Sequence, residues 1–157
     1  MKILVVLSRF PYPLEKGDKL RAYHQIRCLS EKHEIVLAAL HDKEVEEEEL
    51  RQIRPFCKKI HLLRQGFLQK AWNVGRAFFK GLPLQCGYFY SKKNHRAIER
   101  IVRDEKPDRV YCQLIRMVEY VKDVPIHKIL DYQDVFSKGM WRRYENANFL
   151  MKPFFKM

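Results

Sequence analysis

The sequence predicts an α/β fold, in which a Rossmann-like parallel sheet of about five or more strands has helices beside it. Three observations lead to this prediction. A length of 157 residues suits one domain with a proper core. Residues 2–7 and 34–40 each begin with one charged residue, Lys2 or Glu34, and continue as short apolar runs without a polar break, which is typical of strands buried on both faces. A helical pattern lies between them, and strand, helix and strand in this order form a parallel pair.

The remaining elements continue the alternation. The predicted strands are 2–7, 34–40, 59–63, 109–112 and 127–130. The predicted helices are 18–32, 43–53 and two or three within 66–105. Pro107 and Pro125 precede the last two strands. Because a helix rarely continues across proline, they mark where the segment before each strand stops being helical. A final helical stretch is expected near Asp134.

The first helix illustrates how the pattern supports the fold. Asp18 is expected to cap it by accepting hydrogen bonds from free amides of the first turn. The side chains that recur at helical spacing are apolar and form one face for packing on the sheet. They are Ala22, Tyr23, Ile26 and Leu29.

Charge and cysteine usage narrow the class of protein. The net charge is +12, and the stretch from Phe67 to Arg103 has eight lysines and arginines against one acid, interleaved with aromatic residues. Such a stretch suits an anionic membrane surface, an anionic acceptor or nucleic acid, and equally an ordinary helix with a solvated face.

The four cysteines are scattered singly in apolar surroundings, which favours core thiols over a metal site. They are Cys28, Cys57, Cys86 and Cys112.

Several well-known enzyme motifs do not occur in these residues. The loop after the first strand has a single glycine, Gly17, where a dinucleotide-binding turn needs Gly-x-Gly-x-x-Gly. The sequence also has no P-loop, no Gly-x-Ser-x-Gly elbow and no His-Glu-x-x-His motif. The start is not a secretory signal and no run of eighteen apolar residues occurs, so we expect a cytoplasmic protein.

Polar residues gather where the predicted strands end, which is where ligands bind in open parallel sheets. Those after the first strand are Arg9, Gly17, Asp18, Arg21 and His24. Gln113 follows the fourth strand, with Arg116 and Glu119 nearby. The fifth strand leads to Asp131, Asp134 and Ser137. Either aspartate can be a helix cap or can accept a proton from an attacking hydroxyl.

Two stretches resemble a known family. Residues 9–24, RFPYPLEKGDKLRAYH, resemble the N-terminal motif of family 4 glycosyltransferases of the GT-B fold. The likeness is greatest for the subgroup associated with exopolysaccharide and exosortase (PEP-CTERM) loci. Residues 129–144, ILDYQDVFSKGMWRRY, are similar to the Asp-x-x-Asp-x-x-Ser and Trp-Arg stretch of that subgroup. The two stretches bracket nearly the whole chain.

The resemblance implies a retaining hexosyltransferase that moves a sugar from a nucleotide-sugar donor to a glycan or lipid-linked acceptor, without metal or cofactor. It implies that the loop after the first strand approaches the donor phosphates with Arg9, Gly17, Asp18, Arg21 and His24. Asp131, or alternatively Asp134, falls where relatives place a polar active-site residue, and Gln113 and Ser137 fall in the acceptor cleft. Many relatives carry two glycines in the first loop, where this chain has one.

The resemblance also implies a division of the chain. Residues 1–145 would form the acceptor-side domain, and the apolar residues 146–157 would begin a helix leading to a donor domain outside these 157 residues. Such a piece alone would be weakly active or inactive, and would lie in the cytoplasm, at the inner face of the membrane where lipid-linked acceptors occur. Alternatives are one subunit of a split glycosyltransferase with a separately encoded donor domain, or a basic module that binds a membrane surface or nucleic acid. Nucleic acid is disfavoured because no nucleic-acid motif accompanies the charge.

Overall fold

A parallel sheet forms the centre of the molecule in the computed structural model, which describes residues 1–66, 89–132 and 145–146. The strands in the described part are β1 (Lys2–Leu7), β2 (Glu34–His41), β3 (Lys59–Arg64), β4 (Arg109–Gln113) and β5 (Lys128–Asp131). Their order is β3-β2-β1-β4-β5, and every neighbouring pair is parallel. The predicted α/β, Rossmann-like sheet is confirmed, and each predicted strand is found with ends that differ by at most one residue.

Helices connect these strands. The described ones are α1 (Gly17–Ser30), α2 (Glu47–Ile53), α3 (Lys92–Glu105) and the 3₁₀ helices Arg54–Phe56 and Ile115–Tyr120. The helix predicted over 43–53 begins only at Glu47, because Glu46 and Glu49 form a capping box that fixes its start. The helices predicted before α3 fall on residues 67–88, outside the described residues, as does the final helical stretch apart from residues 145–146.

The start of α1 differs from the prediction. The helix begins at Gly17, so Lys16 takes the N-cap position, and no side chain caps it there. Asp18 is therefore inside the first turn, so the prediction that it takes the N-cap position was wrong, whereas its carboxylate does accept a hydrogen bond from a first-turn amide. One of its carboxylate oxygens lies 3.1 Å from the backbone nitrogen of Lys19, and the other accepts a hydrogen bond from Arg9.

The core has two layers, one on each face of the sheet. Alternate residues of β1 point to opposite faces, as a strand requires. Leu4 and Val6 belong to the layer that also contains Ile98 of α3, whereas Val5 belongs to the layer with Ile26 of α1. The predicted apolar face of α1 is confirmed, since Ala22 and Ile26 are buried and the other two residues pack partly against the core.

The strand order positions the functional end of the sheet. β1 lies between β2 and β4, and the helix that follows β1 covers one face while the 3₁₀ helix that follows β4 joins the opposite layer. The two connections therefore leave neighbouring strands in opposite directions and open a crevice at their carboxyl ends. In the described part of the chain, no helix combines the length and the apolar character needed to cross a bilayer.

Candidate functional site

A cavity of about 510 Å³ lies at the carboxyl ends of β1 and β4. Its lining comes from the loop after β1, the first turns of α1 and the turn after β4. The lining residues are Arg9, Lys16, Gly17, Asp18, Arg21, Leu114 and Arg116. Four cations thus face a single carboxylate, and the first turn of α1 contributes the positive end of a helix. The cavity is suited to an anionic ligand.

Asp18 is held between both halves of the cavity. Its carboxylate pairs with Arg9, with 3.0 Å between Nη1 and Oδ2. Its backbone carbonyl accepts a hydrogen bond of 3.1 Å from the side-chain amide of the buried Gln113, at the end of β4. The first turn of α1 is therefore attached to the neighbouring strand.

Arg21 is held by Asp131 in a two-point pair. Nε and Nη2 of Arg21 donate to the two carboxylate oxygens of Asp131 at 2.9 and 3.1 Å. Gln25 donates to the same carboxylate at 3.0 Å. The Tyr111 hydroxyl lies 2.7 Å from Asp131 and 2.7 Å from the Gln25 carbonyl oxygen, and its one proton serves one of them at a time. Burial, together with the neighbouring Asp131 carboxylate, raises the pKa of Tyr111, so the phenol stays protonated.

Arg116 differs from the other two arginines. Among the described residues, no carboxylate lies within ion-pair distance of its guanidinium. That group stacks instead on the buried Phe89 ring, with 4.8 Å from its central carbon to the ring centroid. Partial burial lowers the pKa of Arg116, the positive charge of Arg9 lowers it further, and the Asp18 carboxylate opposes both effects. The side chain remains a cation, in surroundings that favour a negative partner.

Leu114 directs the chain into the cavity wall. It has a φ of 68° and a ψ of 141°, a backbone conformation that favours glycine, and its N–H donates to the carbonyl of Asp131 at 2.8 Å. Holding a residue other than glycine in this backbone conformation costs about 1–3 kcal/mol, and the conformation persists only where the surrounding structure enforces it. The turn leads directly into the 3₁₀ helix that carries Arg116.

The structure brings some of the predicted site residues together and leaves others apart. Arg9, Gly17, Asp18 and Arg21 all line the cavity, and Gln113 contacts it through Asp18. His24 is exposed and is not among the lining residues; its ring meets Tyr23 edge-on at 5.4 Å.

Two other predicted residues, Asp134 and Ser137, lie outside the described residues. Asp131 is described, but four hydrogen-bonding groups surround its carboxylate, so its predicted role as proton acceptor stays a prediction. Sequence reasoning did not select Lys16 and Leu114, and it noted Arg116 only as a neighbour of Gln113 without giving it a role. For Arg116 the available signal was a cation placed just after β4, at the edge where the polar residues gather.

The backbone of Gly17 borders open space. A Cβ added to it would meet no atom within 4 Å. Packing within the described residues therefore does not require glycine here. What glycine provides is open space beside the backbone of the first helical turn, into which a ligand can come close.

Metal ligands and reactive thiols are not features of the described site. The described residues contain no group of three or more histidine, cysteine, aspartate or glutamate side chains that could hold a metal ion. Burial raises the pKa of Cys57 and of Cys112 to about 12, as expected for core thiols. Cys28 is exposed on the solvent side of α1, so placing it in the core was wrong. Cys86 lies outside the described residues.

Comparisons with known proteins give one distant similarity. No family model matches the chain. It is 28% identical over 132 residues to an uncharacterized 44.6 kDa protein in the cps region of Klebsiella pneumoniae. That match covers 83% of this chain and 31% of the Klebsiella protein, so the chain spans about a third of its relative's length.

Proposed function

We propose that the chain supplies one wall of a glycosyltransferase active site, which moves a sugar from a nucleotide-sugar donor to a glycan or lipid-linked acceptor. The observation that carries this proposal is the cationic cavity between β1 and β4, lined by the first turn of α1. The resemblance of residues 9–24 and 129–144 to family 4 glycosyltransferases supports it. So does the similarity to a protein of a cps region, since such regions serve polysaccharide synthesis.

The chemistry of the donor matches the charge of the cavity. A nucleotide sugar carries a diphosphate, and transfer of the sugar leaves a nucleoside diphosphate with additional negative charge. Cations and backbone amides that are already in place stabilise that charge at little reorganisation cost. Arg9, Lys16 and Arg21 supply the cations, and the open backbone at Gly17 admits the phosphates to the first turn of α1.

The acceptor-side residues stay proposals. Gln113 and Ser137 would face the acceptor, and Asp134 or Asp131 would take its proton. The contacts of Asp131 with Arg21, Gln25 and Tyr111 favour a positioning role for it, because three donors already use its oxygens. We therefore place Asp134 first as proton acceptor.

The donor's nucleoside would be bound by another part of the same polypeptide or by a separately encoded chain. Since the chain spans 31% of its Klebsiella relative, a further donor-binding domain is consistent with the proposal. The exposed face of α3 favours a location on an anionic membrane surface, at the inner face of the cell membrane, where lipid-linked acceptors occur. Its exposed cations are Lys92, Lys93, Arg96, Arg100 and Arg103.

Transfer can be tested with a matched pair of glycine variants. The chain is incubated with a panel of nucleotide sugars and membranes of the cell that encodes it, which supply lipid-linked acceptors and any separate donor-binding partner. Release of nucleoside diphosphate is then measured. We expect Gly17→Ala to lower the rate about tenfold or more, because a methyl group would hold the phosphates away from the backbone.

The control is Gly66→Ala. A Cβ at Gly66 also meets nothing within 4 Å, and Gly66 is not among the cavity's lining residues, so its rate should equal that of the wild type. Intact nucleotide sugars throughout the panel would overturn the glycosyl-transfer proposal. A salt-sensitive shift of a nucleic-acid probe would then favour the alternative of a basic nucleic-acid module.

A further inference from the structure

We propose that Arg116 is the residue that binds the ligand's anionic group in this cavity, and that this group is a diphosphate. Arg9 and Arg21, which are already paired with carboxylates, then contribute less to that binding. The inference deepens the proposed function and takes the class of ligand from it. The position of Arg116 in the cavity stands on geometry alone.

The three arginines of the cavity differ in how their charge is neutralised. Arg9 pairs with Asp18 at 3.0 Å, and Arg21 pairs with Asp131 at 2.9 Å. Each of these guanidinium groups already has a carboxylate partner. Arg116 has no such partner among the described residues, although it lines the same cavity. Among the three arginines, a ligand anion would therefore gain most from Arg116, since binding there breaks no existing ion pair.

The second step is that Arg116 is held in place. Its guanidinium stacks on the ring of Phe89, which leaves the N–H groups at its rim free to donate. Phe89 is buried, and its backbone is fixed because its carbonyl accepts hydrogen bonds from the buried side chains of Gln65 and Tyr120. The charged group is thus positioned before the ligand arrives, which reduces the entropy cost of binding.

The third step concerns the chemistry of the ligand. A partly buried guanidinium without a carboxylate at ion-pair distance is unfavourable, and the nearby Arg9 adds repulsion that the Asp18 carboxylate offsets only in part. A ligand with two or more negative charges offsets both the cost of the partly buried charge and the repulsion from Arg9. The planar guanidinium offers parallel N–H donors that match two oxygens of a phosphate. The cavity of about 510 Å³ has room for a diphosphate beside Lys16 and the first turn of α1.

Titration calorimetry of the full chain tests the inference. Inorganic pyrophosphate and uridine diphosphate are the two probes, and they separate recognition of the diphosphate from recognition of a nucleoside. We expect Arg116→Ala to weaken pyrophosphate binding about tenfold or more, as for loss of a charged hydrogen-bonding group. Arg116→Lys keeps the charge but loses the planar fork, and should recover part of that affinity.

The same experiment includes controls. Arg27→Ala removes an exposed arginine of α1 that is not among the lining residues, and should leave binding unchanged. Millimolar guanidinium ion should partly restore pyrophosphate binding to Arg116→Ala, which a merely unfolded variant would not show. Circular dichroism melting checks that each variant is folded.

The outcomes separate this inference from the proposed function. Wild-type affinity in Arg116→Ala would overturn the role of Arg116 and leave glycosyl transfer intact. No pyrophosphate binding by the wild type would overturn it as well. Loss of pyrophosphate binding in Arg116→Ala, in a chain that leaves every nucleotide sugar intact, would support the anion site while the glycosyl-transfer proposal fails.

Discussion

Single residues in the cavity are held by one another across long stretches of sequence. Arg21 and Asp131 are 110 positions apart, yet they form a two-point pair, and Gln113 holds the first turn of α1 from 95 positions away. Such contacts fix side chains before a ligand binds, and this preorganisation is what makes charged groups effective in a site. Asp131 makes several of these contacts, since its carboxylate is hydrogen-bonded to Arg21, Gln25 and Tyr111.

Replacing Asp131 distinguishes positioning from proton transfer. In Asp131→Asn the new amide brings N–H groups toward Arg21, Gln25 and Tyr111, so we expect the free energy of unfolding to fall by about 1–3 kcal/mol. Pyrophosphate affinity should fall several-fold, because Arg21 loses its two-point support. Urea denaturation and calorimetric titration measure the two effects.

The matched control is Asp108→Asn, at the opposite end of β4, where the carboxylate accepts from the backbone N–H of Lys2. It should leave pyrophosphate binding unchanged. Full pyrophosphate affinity in Asp131→Asn, combined with loss of transfer, would instead favour the role of proton acceptor.

The strand-end rule explains which of the residues named from the sequence line the cavity. Arg9, Gly17, Asp18 and Arg21 follow β1 directly, so an apolar strand and its loop were enough to bring them to one site. The lack of a carboxylate partner at Arg116 could not be predicted, because partners are distributed by tertiary packing rather than by spacing. The glycine-like backbone of Leu114 had no sequence signal either, since leucine rarely adopts it.

At the scale of the element, α1 begins without a side-chain cap. Lys16 occupies the N-cap position, where serine, threonine, aspartate or asparagine would accept hydrogen bonds from the first-turn amides. The capped starts of α2 and α3 show the contrast: Glu46 caps the former, and the Ser91 hydroxyl accepts from the amide of Asn94 in the latter. The first turn of α1 is thus available to an anionic ligand at the expense of helix stability.

Two substitutions of Lys16 test whether the uncapped start of α1 lowers helix stability and whether the Lys16 cation contributes to anion binding. We expect Lys16→Ser to be more stable than Lys16→Ala by about 1 kcal/mol, because serine restores a cap. Both variants lose the cation, so both should bind pyrophosphate several-fold more weakly than the wild type. Urea denaturation and titration of the two variants side by side provide the measurement. Equal stability of the two variants would show that the first turn is capped in some other way.

Element boundaries were predictable where a strong local signal exists. The apolar runs fixed the strands to within one residue. The start of α2 was placed too early, since five acidic residues in a row of six allow several caps and the capping box of Glu46 with Glu49 selects one of them. The start of α1 was placed at Asp18 on capping preference alone, which the cavity overrides.

Across the whole molecule, a second ionic cluster lies near the start of β1 and β3, at the end of α3. Glu105 is buried, and the amino groups of Lys2 and Lys59 and the imidazole of His61 surround its carboxylate. Hydrogen bonding to Lys59 holds the pKa of Glu105 below its ordinary value of 4.5. Burial lowers the pKa of His61 below its ordinary value of 6.5, although Glu105 opposes that shift.

This cluster predicts acid sensitivity. Where a folded-state pKa is lowered, the unfolded chain binds more protons between the two pKa values, and acidification favours unfolding. His61 therefore reduces stability as the pH falls below 6.5, and Glu105 adds a steeper loss below 4.5. Urea denaturation across pH 7 to 4 measures the slope. In Glu105→Gln the slope below 4.5 should flatten, and an unchanged slope would show that other carboxylates control acid unfolding.

The order of the strands in the sheet determines which residues meet at the cavity, and this order could not be predicted from the sequence pattern. Alternating strands and helices predict a parallel sheet, but they do not say that β4 pairs with β1 rather than with β3. Only that pairing brings Leu114 and Arg116 to the loop after β1. The contribution of Asp134 and Ser137 stays a prediction.

The pairing of β1 with β4 also ties ligand release to the opening of the sheet. Gln113 reaches Asp18, and Asp131 of β5 reaches Arg21, so side chains bridge the two halves of the sheet in addition to the backbone. A local opening that separates β4 and β5 from β1 would dismantle the cavity along with the sheet. A bound diphosphate adds one more bridge, so its occupancy should slow that opening and protect the backbone amides of β5 from hydrogen exchange.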